Sequence, residues 1–525
     1  MNKLKIAFIT HEDKIDLNKK DLIEFINNHK NFDKSICIKI KNKEKKKLIT
    51  SYLNNSLIKL IDFIEVRRTR KNKSFLNYDK KVNLHNLNLK IFNNSDLIEL
   101  KNQNIDFLVF LDHNQINKDL VKVSKSGALI IKKSDDRFIE SDVVGFWETY
   151  LNKPSIGFSI NQILPNNESE DVLFRGNFRT RSLWGENKAI IDKKSIHFLR
   201  NTLLKFSEGK TINNLKEEKL NQKNFKKKPS QLNLIKYIFK EYTKILKSRF
   251  NEYIGVKKKW SVSFVNESKI NIDFKKLITI KNPPNRFLAD PFVIKKNGRN
   301  ICFVEDYCFE KKRAKISAYE LFKNDYKKIG TALEENFHLS FPFVFKHDQE
   351  IFMIPETGEV NEIRLYKCIS FPLEWKFEKT LIKNIDAVDT IVFKKENKWC
   401  LLSNVCSSFI NEHDSELHLY TSENLLSNNW VKSENNPIIF DSEKGRNGGF
   451  FTLENSHYRV NQVNKKNQYG YSLKINKILS INDSIYEEKE VNEFKPIFLN
   501  SLIGTHHFQM NEEFSVIDHL SISRN

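Results

Sequence analysis

Five short apolar segments in the second half of the chain open on residues that could bind a polar ligand or move a proton. Ala289-Asp290-Pro291-Phe292-Val293 is echoed by Ser340-Phe341-Pro342-Phe343-Val344 and by Val388-Asp389-Thr390-Ile391-Val392. Fainter echoes follow in Asn447-Gly448-Gly449-Phe450 and Thr505-His506-His507-Phe508. Aligned, Asp290, Phe341, Asp389, Gly448 and His506 hold one place in the repeat, and the segments that follow add Glu305 with Asp306 and Glu356 with Glu359. Two carboxyl groups about 5–9.5 Å apart across a glycosidic bond supply an acid and a base. The candidate catalytic residues are therefore Asp290, Asp389, Glu305 and Glu356. Asp306, Arg446, Arg459, Gln462, His506 and His507 are candidates for hydrogen-bonding the hydroxyls of a sugar. Each acid also has a structural use, since Asp-Pro starts turns and a strand-end Asp pairs readily with a nearby Arg. His506 and His507 project to opposite faces of a strand, so no metal pair is expected from them.

Such residues converge only if the segments carrying them are arranged radially. Each opening segment is followed by a second strand pattern, as in Ile301-Cys302-Phe303-Val304, Ile351-Phe352-Met353-Ile354, Trp399-Cys400-Leu401-Leu402, His457-Tyr458-Arg459-Val460 and Phe514-Ser515-Val516-Ile517. Third strands recur in Lys315–Tyr319, Ile363–Tyr366, Leu417–Tyr420 and Leu473–Ile475. Five copies at a period of about 50 residues predict a five-bladed β-propeller over 257–525. The strand beginning at Trp260 is expected to return and complete the last blade. First strands line the channel of a propeller, so the residues opening them meet at one mouth, with Tyr307 and Trp375 as candidate aromatic platforms.

The first 205 residues read differently. Leu4–Ile9 and Ile105–Leu111 are continuously apolar, as strands buried on both faces of a parallel sheet are. Helical patterns lie between and after them, so this part is expected to be an α/β domain of Rossmann type. Residues 206–256 form a Lys- and Asn-rich linker followed by a helix from about 230 to 253. Its apolar positions Leu234, Ile235, Ile238, Phe239, Tyr242, Ile245, Leu246 and Phe250 follow i, i+3/i+4 spacing, and Lys236, Lys240, Lys244, Lys247 and Arg249 lie on the other face. Such a helix either docks its apolar stripe on a neighbouring domain or lies on an anionic membrane.

Composition narrows the functional classes. The 88 Lys and Arg against 66 Asp and Glu give +22, yet no zinc-finger, helix-turn-helix or RNP pattern accompanies the charge, so no nucleic-acid partner is expected. The abundance of Lys, Asn and Ile is what an AT-rich genome writes. The six cysteines show no CxxC spacing, no apolar run reaches the ~18 residues of a membrane span, and the N-terminus leads directly into a strand. A cytoplasmic protein, peripheral to a membrane at most, is expected.

Two family resemblances sit on these segments. Phe287–Phe292, Phe303–Tyr307, His338–Phe345, Met353–Thr357, Phe371–Trp375, Tyr458-Arg459 with Gln462, and Tyr469-Gly470 resemble successive motifs of the N-terminal propeller domain of the glucosamine inositolphosphorylceramide transferases and their bacterial relatives. That domain is similar in turn to the five-bladed glycoside hydrolases of family 43. The second similarity implies Asp290 as base, Asp389 as the acid that sets a partner's pKa, and Glu305 or Glu356 as proton donor. In the plant transferases sugar transfer belongs to a separate domain, so the first similarity implies a carbohydrate context rather than a reaction.

In the first 205 residues, Ile105–Leu111, Gly127–Ile131, Gly145–Glu148, Ser155–Ile160 and Asp171–Gly176 resemble the formyltransferase domain of methionyl-tRNA and sugar-amine formyltransferases. The family's catalytic Asn and His are replaced here by Ile130 and Lys132, and its Asp falls near 168–171. Lys132 and Asp171 are the candidates for a cleft in this domain. A folate formyl donor is not supported by these residues, and no other cofactor is named by the sequence.

The expectation is a transferase-like enzyme of bacterial surface-glycan or glycolipid assembly, with a diverged formyltransferase-like domain and a propeller that holds a carbohydrate or nucleotide-sugar. A glycosidase using the propeller carboxylates, or a glycan-binding protein without catalysis, are the alternatives.

Overall fold

The computed structural model describes the chain except for residues 1–2, 41–48, 72, 76, 78–79, 88, 94–96, 113–117, 135–139, 142, 167–169, 213–214, 216–224, 227, 409 and 525. Most of the expected linker lies outside the described residues. The chain divides into two compact units, Met1–Thr243 and Lys244–Asn525.

The first unit is built on a seven-stranded sheet. Its order is Glu170–Arg179, Ser155–Ile163, Ala128–Lys132, Phe107–Phe110, Ile6–Thr10, Ile36–Lys39 and Lys90–Asn93. The last five of these run parallel, and the first two are antiparallel additions at one edge. Ile6–Thr10 and Phe107–Phe110 are buried at every residue, which is why their sequences are continuously apolar rather than alternating. Ile9, Ile38, Leu108 and Ile130 meet in one core on this sheet. The helix Trp184–Ser207 covers it, with Phe198 stacked on Phe174 at 4.6 Å between ring centroids. The domain is thus the α/β fold expected.

The helix Gln231–Tyr253 docks differently from one of its two expectations. It buries Leu234, Tyr237 and Glu241, whereas Ile235, Ile238, Phe239, Leu246 and Phe250 remain exposed. The docked face is organised by polar atoms: the Tyr237 hydroxyl donates to Glu65 Oε1 at 2.7 Å, and Glu65 Oε2 accepts from the Gly185 N–H at 2.7 Å.

The second unit is a five-bladed propeller. Four blades run in chain order, opening on Arg286–Lys296, Ser340–His347, Ala387–Lys395 and Asn447–Leu453; three are four-stranded, and the one opening on Ala387–Lys395 adds Ile439–Phe440 as a fifth strand. The fifth combines both ends of the unit: Ser515–Arg524 pairs with Val256–Val265 over ten residues. The return of the strand containing Trp260 is therefore as expected. Hairpins between first and second strands turn on consecutive left-handed residues, Asn297-Gly298, Asp348-Gln349 and Glu454-Asn455, the backbone that two-residue connections require. These turns fix register, and register decides which side chains face the channel.

Candidate functional site at the propeller mouth

The repeat positions coincide because each opening strand carries the same defect. Pairing with the second strand skips between Ala289 and Phe292, Ser340 and Phe343, Val388 and Ile391, and Asn447 and Phe450. Each skip is a β-bulge, which bends the strand and re-aims one side chain. Asp290, Phe341 and Asp389 have φ of 49°, 43° and 49°, and Gly449 has 130°. The left-handed backbone costs roughly 1–2 kcal/mol at a residue with a side chain, least for Asp and most for a bulky residue such as Phe341. In three blades the bulge thus imposes the conformation on Asp and Phe alike, and in the fourth the positive φ falls one place later, at Gly449. In the fourth blade side chains would not fit: a Cβ on Gly448 would lie 2.2 Å from the His506 carbonyl oxygen, and one on Gly449 2.1 Å from that of Phe508.

Asp290, Asp389 and His506 are buried together at this mouth. His506 Nδ1 lies 2.6 Å from Asp518 Oδ2, and its Nε2 lies 3.6 Å from Asp290 Oδ1. Asp518 also accepts from the backbone N–H groups of His506 and His507 at 3.0 and 2.9 Å. Trp260 stacks on the His506 ring at 3.9 Å. Across the channel, Asp389 Oδ2 accepts from Arg446 Nε at 2.7 Å, and Arg446 Nη1 is 3.6 Å from Asp414. The guanidinium lies over the Tyr469 ring, 5.2 Å from its centroid. Gln462 Nε2 donates to the Asn447 carbonyl at 2.8 Å and reaches Asp389 Oδ2 at 3.4 Å.

Burial and mutual repulsion set the charge states. Burial pushes Asp290 up to about 7, with Asp389 and Asp518 adding to it and His506 opposing. Asp389 is raised to about 6 by burial, against the pull of Arg446. Glu305 stands well above the usual carboxylate range because it is buried and faces Asp290 and Glu356. The His506 imidazole is raised despite burial, since Asp518 and Asp290 favour its cation, and Asp518 is correspondingly lowered. Near neutrality Asp290 is poised between its two forms and Asp389 is ionised beside Arg446, while burial favours the protonated form of Glu305.

Residues 275–500 match the family described as glucosamine inositolphosphorylceramide transferase 1, N-terminal. Two curated relatives carry that transferase name. The Arabidopsis thaliana protein is 33% identical over 213 residues, covering 40% of this chain and 28% of the relative. The Oryza sativa subsp. japonica protein is 34% identical over 215 residues, with the same coverages. The chain spans about a quarter of the length of these relatives. Among solved structures, the catalytic domain of a GH62 alpha-L-arabinofuranosidase from Coprinopsis cinerea has a TM-score of 0.34 at 11% identity, covering 50% of this chain and 96% of that one. A sugar N-formyltransferase from Shewanella has a TM-score of 0.27 at 10% identity, covering 43% and 76%.

The structure sorts the expected site residues into three groups. Asp290, Asp389, Glu305, Glu356, Arg446, Gln462 and His506 come together at the mouth. His507 is adjacent but packed against Phe292 and Phe341, with ring centroids at 4.5 and 5.3 Å, and burial drives its imidazole down to about 3. It is a neutral wall. Asp306 and Arg459 serve elsewhere. Asp306 points to the opposite face of its strand from Glu305, where it is fully buried against Arg286, accepts from Ser317 at 2.7 Å and lies 3.6 Å from Lys328. Arg459 is fully buried and donates to Glu488, to the carbonyls of Lys444 and Gly445 and to Asn447 Oδ1, so it holds the turn carrying Arg446.

Neither aromatic platform is in the channel centre. Tyr307 stacks on Phe287 at 4.8 Å, and Trp375, on an outer strand, packs edge-on against Phe303. Trp260 and Tyr469 take that place beside His506 and Arg446. Asp518 was not anticipated as part of the site. Its signal was an acid set directly after the apolar pair Val516-Ile517 in a strand.

One oxygen each of Asp290 and Asp518 and a ring nitrogen of His506 lie within 4.8 Å of one another, a set that could hold a cation. Both Asp518 oxygens are already engaged by His506 and the two N–H groups, however, which favours an ion-paired triad.

In the first unit, Lys132 forms an ion pair with Glu170 rather than meeting Asp171. Asp171 pairs in the ladder with Gln162, and Lys132 with Ser159, on strands flanking Ser155–Ile163. Ile130 is part of the sheet core. These residues do not assemble a proton-transfer site.

Proposed function

We propose that this protein acts in glycan or glycolipid assembly or processing, and that the propeller mouth binds and activates the sugar. The carrying observation is the burial of three carboxyls, Asp290, Glu305 and Asp389, in one channel beside Arg446 and His506, where burial and mutual repulsion raise all three. A general acid and a general base work best when their pKa values lie near the working pH and are pushed apart by environment. In this reading Asp290 accepts the proton of an attacking hydroxyl or water as its oxygen bonds to the anomeric carbon. Glu305 delivers its proton to the oxygen that leaves that carbon. Asp389, fixed by Arg446 and Gln462, holds a hydroxyl of the ring and keeps Glu305 protonated through its negative charge. Glu356 borders the same space.

The charge of the mouth favours one substrate class. Asp290, Glu305, Glu356, Asp389 and Asp518 share it with the cations Arg446 and His506, an excess of acid that disfavours the diphosphate of a nucleotide-sugar and suits a neutral or amino-bearing sugar. The relatives' name, which contains glucosamine, supports an amino sugar. The experiment is a survey of the full chain against amino-sugar glycosides and glycolipids, with the rate followed against pH. The reading expects Glu305→Gln to lower kcat by about 10²–10⁴-fold and to abolish the alkaline limb of the profile. Turnover by Glu305→Gln equal to that of the parent would remove the acid–base assignment.

A further inference from the structure

We propose that the exposed stripe of the helix Gln231–Tyr253 lies on an anionic membrane surface. At 3.6 residues per turn, the docked residues Leu234, Tyr237 and Glu241 fall on one side, and Leu232, Ile235, Phe239, Leu246 and Phe250 fall roughly on the other. Phe239 is 73% exposed, Leu246 64% and Phe250 60%. An amphipathic helix in a globular domain buries its apolar stripe; this one turns it outward. Tyr237 fixes that orientation: the stripe cannot rotate inward without breaking the bond its hydroxyl donates to the buried Glu65 and the one it accepts from the Trp184 N–H at 2.9 Å.

The charges around the stripe identify what covers it. Lys236, Lys240 and Lys247 border one flank and Arg249 the other, the arrangement by which an interfacial helix places apolar side chains among acyl chains and cations among headgroups. The helix Ile49–Thr69, joined to it through Glu65 and Tyr242 at 3.5 Å, exposes Leu60, Phe63 and Ile64, with Arg67 over the Phe63 ring. A groove of about 660 Å³ between the Tyr150-Leu151 turn and Ile235, Phe239 and Lys240 opens on the same helix and has an apolar lining suited to a hydrocarbon chain. A second copy of this chain is a poor occupant, because it would set one basic fringe against another in a protein of net charge +22. Among the described residues no helix is long and apolar enough to cross a membrane, so the contact is with the surface. An anionic leaflet is characteristic of the cytoplasmic face, which extends the sequence's expectation of a membrane-peripheral protein.

The test is sedimentation of the full chain with phosphatidylserine-containing vesicles and with pure phosphatidylcholine vesicles, at low and high salt. The expected result is binding that requires phosphatidylserine, falls with salt, and drops by about tenfold or more in Phe239→Glu with Phe250→Glu. Both residues are exposed, so an unchanged circular dichroism spectrum and melting curve are expected of that variant. Parent protein that stays in the supernatant with phosphatidylserine vesicles would overturn the proposal. So would a stable dimer in light scattering that the same variant dissociates. Sugar binding at the propeller is measured separately on the same variant, and its persistence shows that the two surfaces stand or fall independently.

Discussion

Asp290 sets stability against use. Its native pKa, about 7, lies above its ordinary value of 3.8. A carboxyl with a raised native pKa stabilises the fold below its unfolded pKa and loses that contribution as pH rises through the native one. Between about pH 4 and 7 this residue therefore weighs increasingly against the native state. Asp290→Asn removes the titration, and the expected outcome is a variant more stable than the parent at pH 8, by on the order of 2 kcal/mol or several degrees in Tm, with little difference at pH 4. Thermal melts at the two pH values check it. Asp518 behaves oppositely: its lowered pKa stabilises above the unfolded value and is lost on acidification.

Much of this residue scale was legible in advance. The repeat alignment grouped Asp290, Asp389 and His506, and the structure brings them to one mouth, the first two on bulges that recur at one ladder position. It misplaced Asp306 because neighbouring residues in a strand face opposite ways, and sequence alone did not say whether Glu305 or Asp306 faced the channel.

The bulged opening strands and the turn before Asn447 position the site. Arg459 makes this scale visible: although no atom of it is exposed, it spans from Glu488 to the carbonyls of Lys444 and Gly445. Replacing it leaves the partly buried Glu488 without its cation and frees the turn that aims Arg446 at Asp389. Arg459→Met is expected to lose about 3–5 kcal/mol of stability and to raise the pKa of Asp389 as Arg446 loosens. Denaturant unfolding and a shift of the pH–rate profile to higher pH check the two effects. Sequence marked Arg459 as a sugar-binding candidate because it opens a second strand near the rim; here it holds a loop, a distinction that needs the partner atoms.

At the scale of the molecule, two units of different construction were readable from texture alone. Continuous apolar runs announced the parallel sheet, and a repeat with alternating strands announced the propeller. The closure of the fifth blade was legible too, since the strand at Trp260 had no third or fourth partner of its own. The outward stripe of Gln231–Tyr253 was not, because helical periodicity shows that an apolar face exists without showing which face docks. Closure has a consequence for dissection. A fragment from residue 256 onward keeps all ten pairs between Val256–Val265 and Ser515–Arg524. It is expected to unfold cooperatively, whereas a fragment from 266 onward leaves a blade open and is expected to aggregate or melt far lower. Calorimetry of the two fragments separates them.

The measurement that tests the sugar site most directly is isothermal calorimetry of the full chain against amino-sugar and neutral oligosaccharides, with Asp290→Asn and Asp389→Asn beside the parent. The account predicts binding by the parent, and loss of about tenfold or more in affinity for Asp389→Asn, because that residue holds a ring hydroxyl from a position fixed by Arg446. Asp290→Asn, which keeps its shape but gives up the proton acceptor, is predicted to retain more binding than Asp389→Asn while losing turnover. Parent protein that binds no sugar in the panel, or two variants that bind as the parent does, would contradict a carbohydrate site at the propeller mouth.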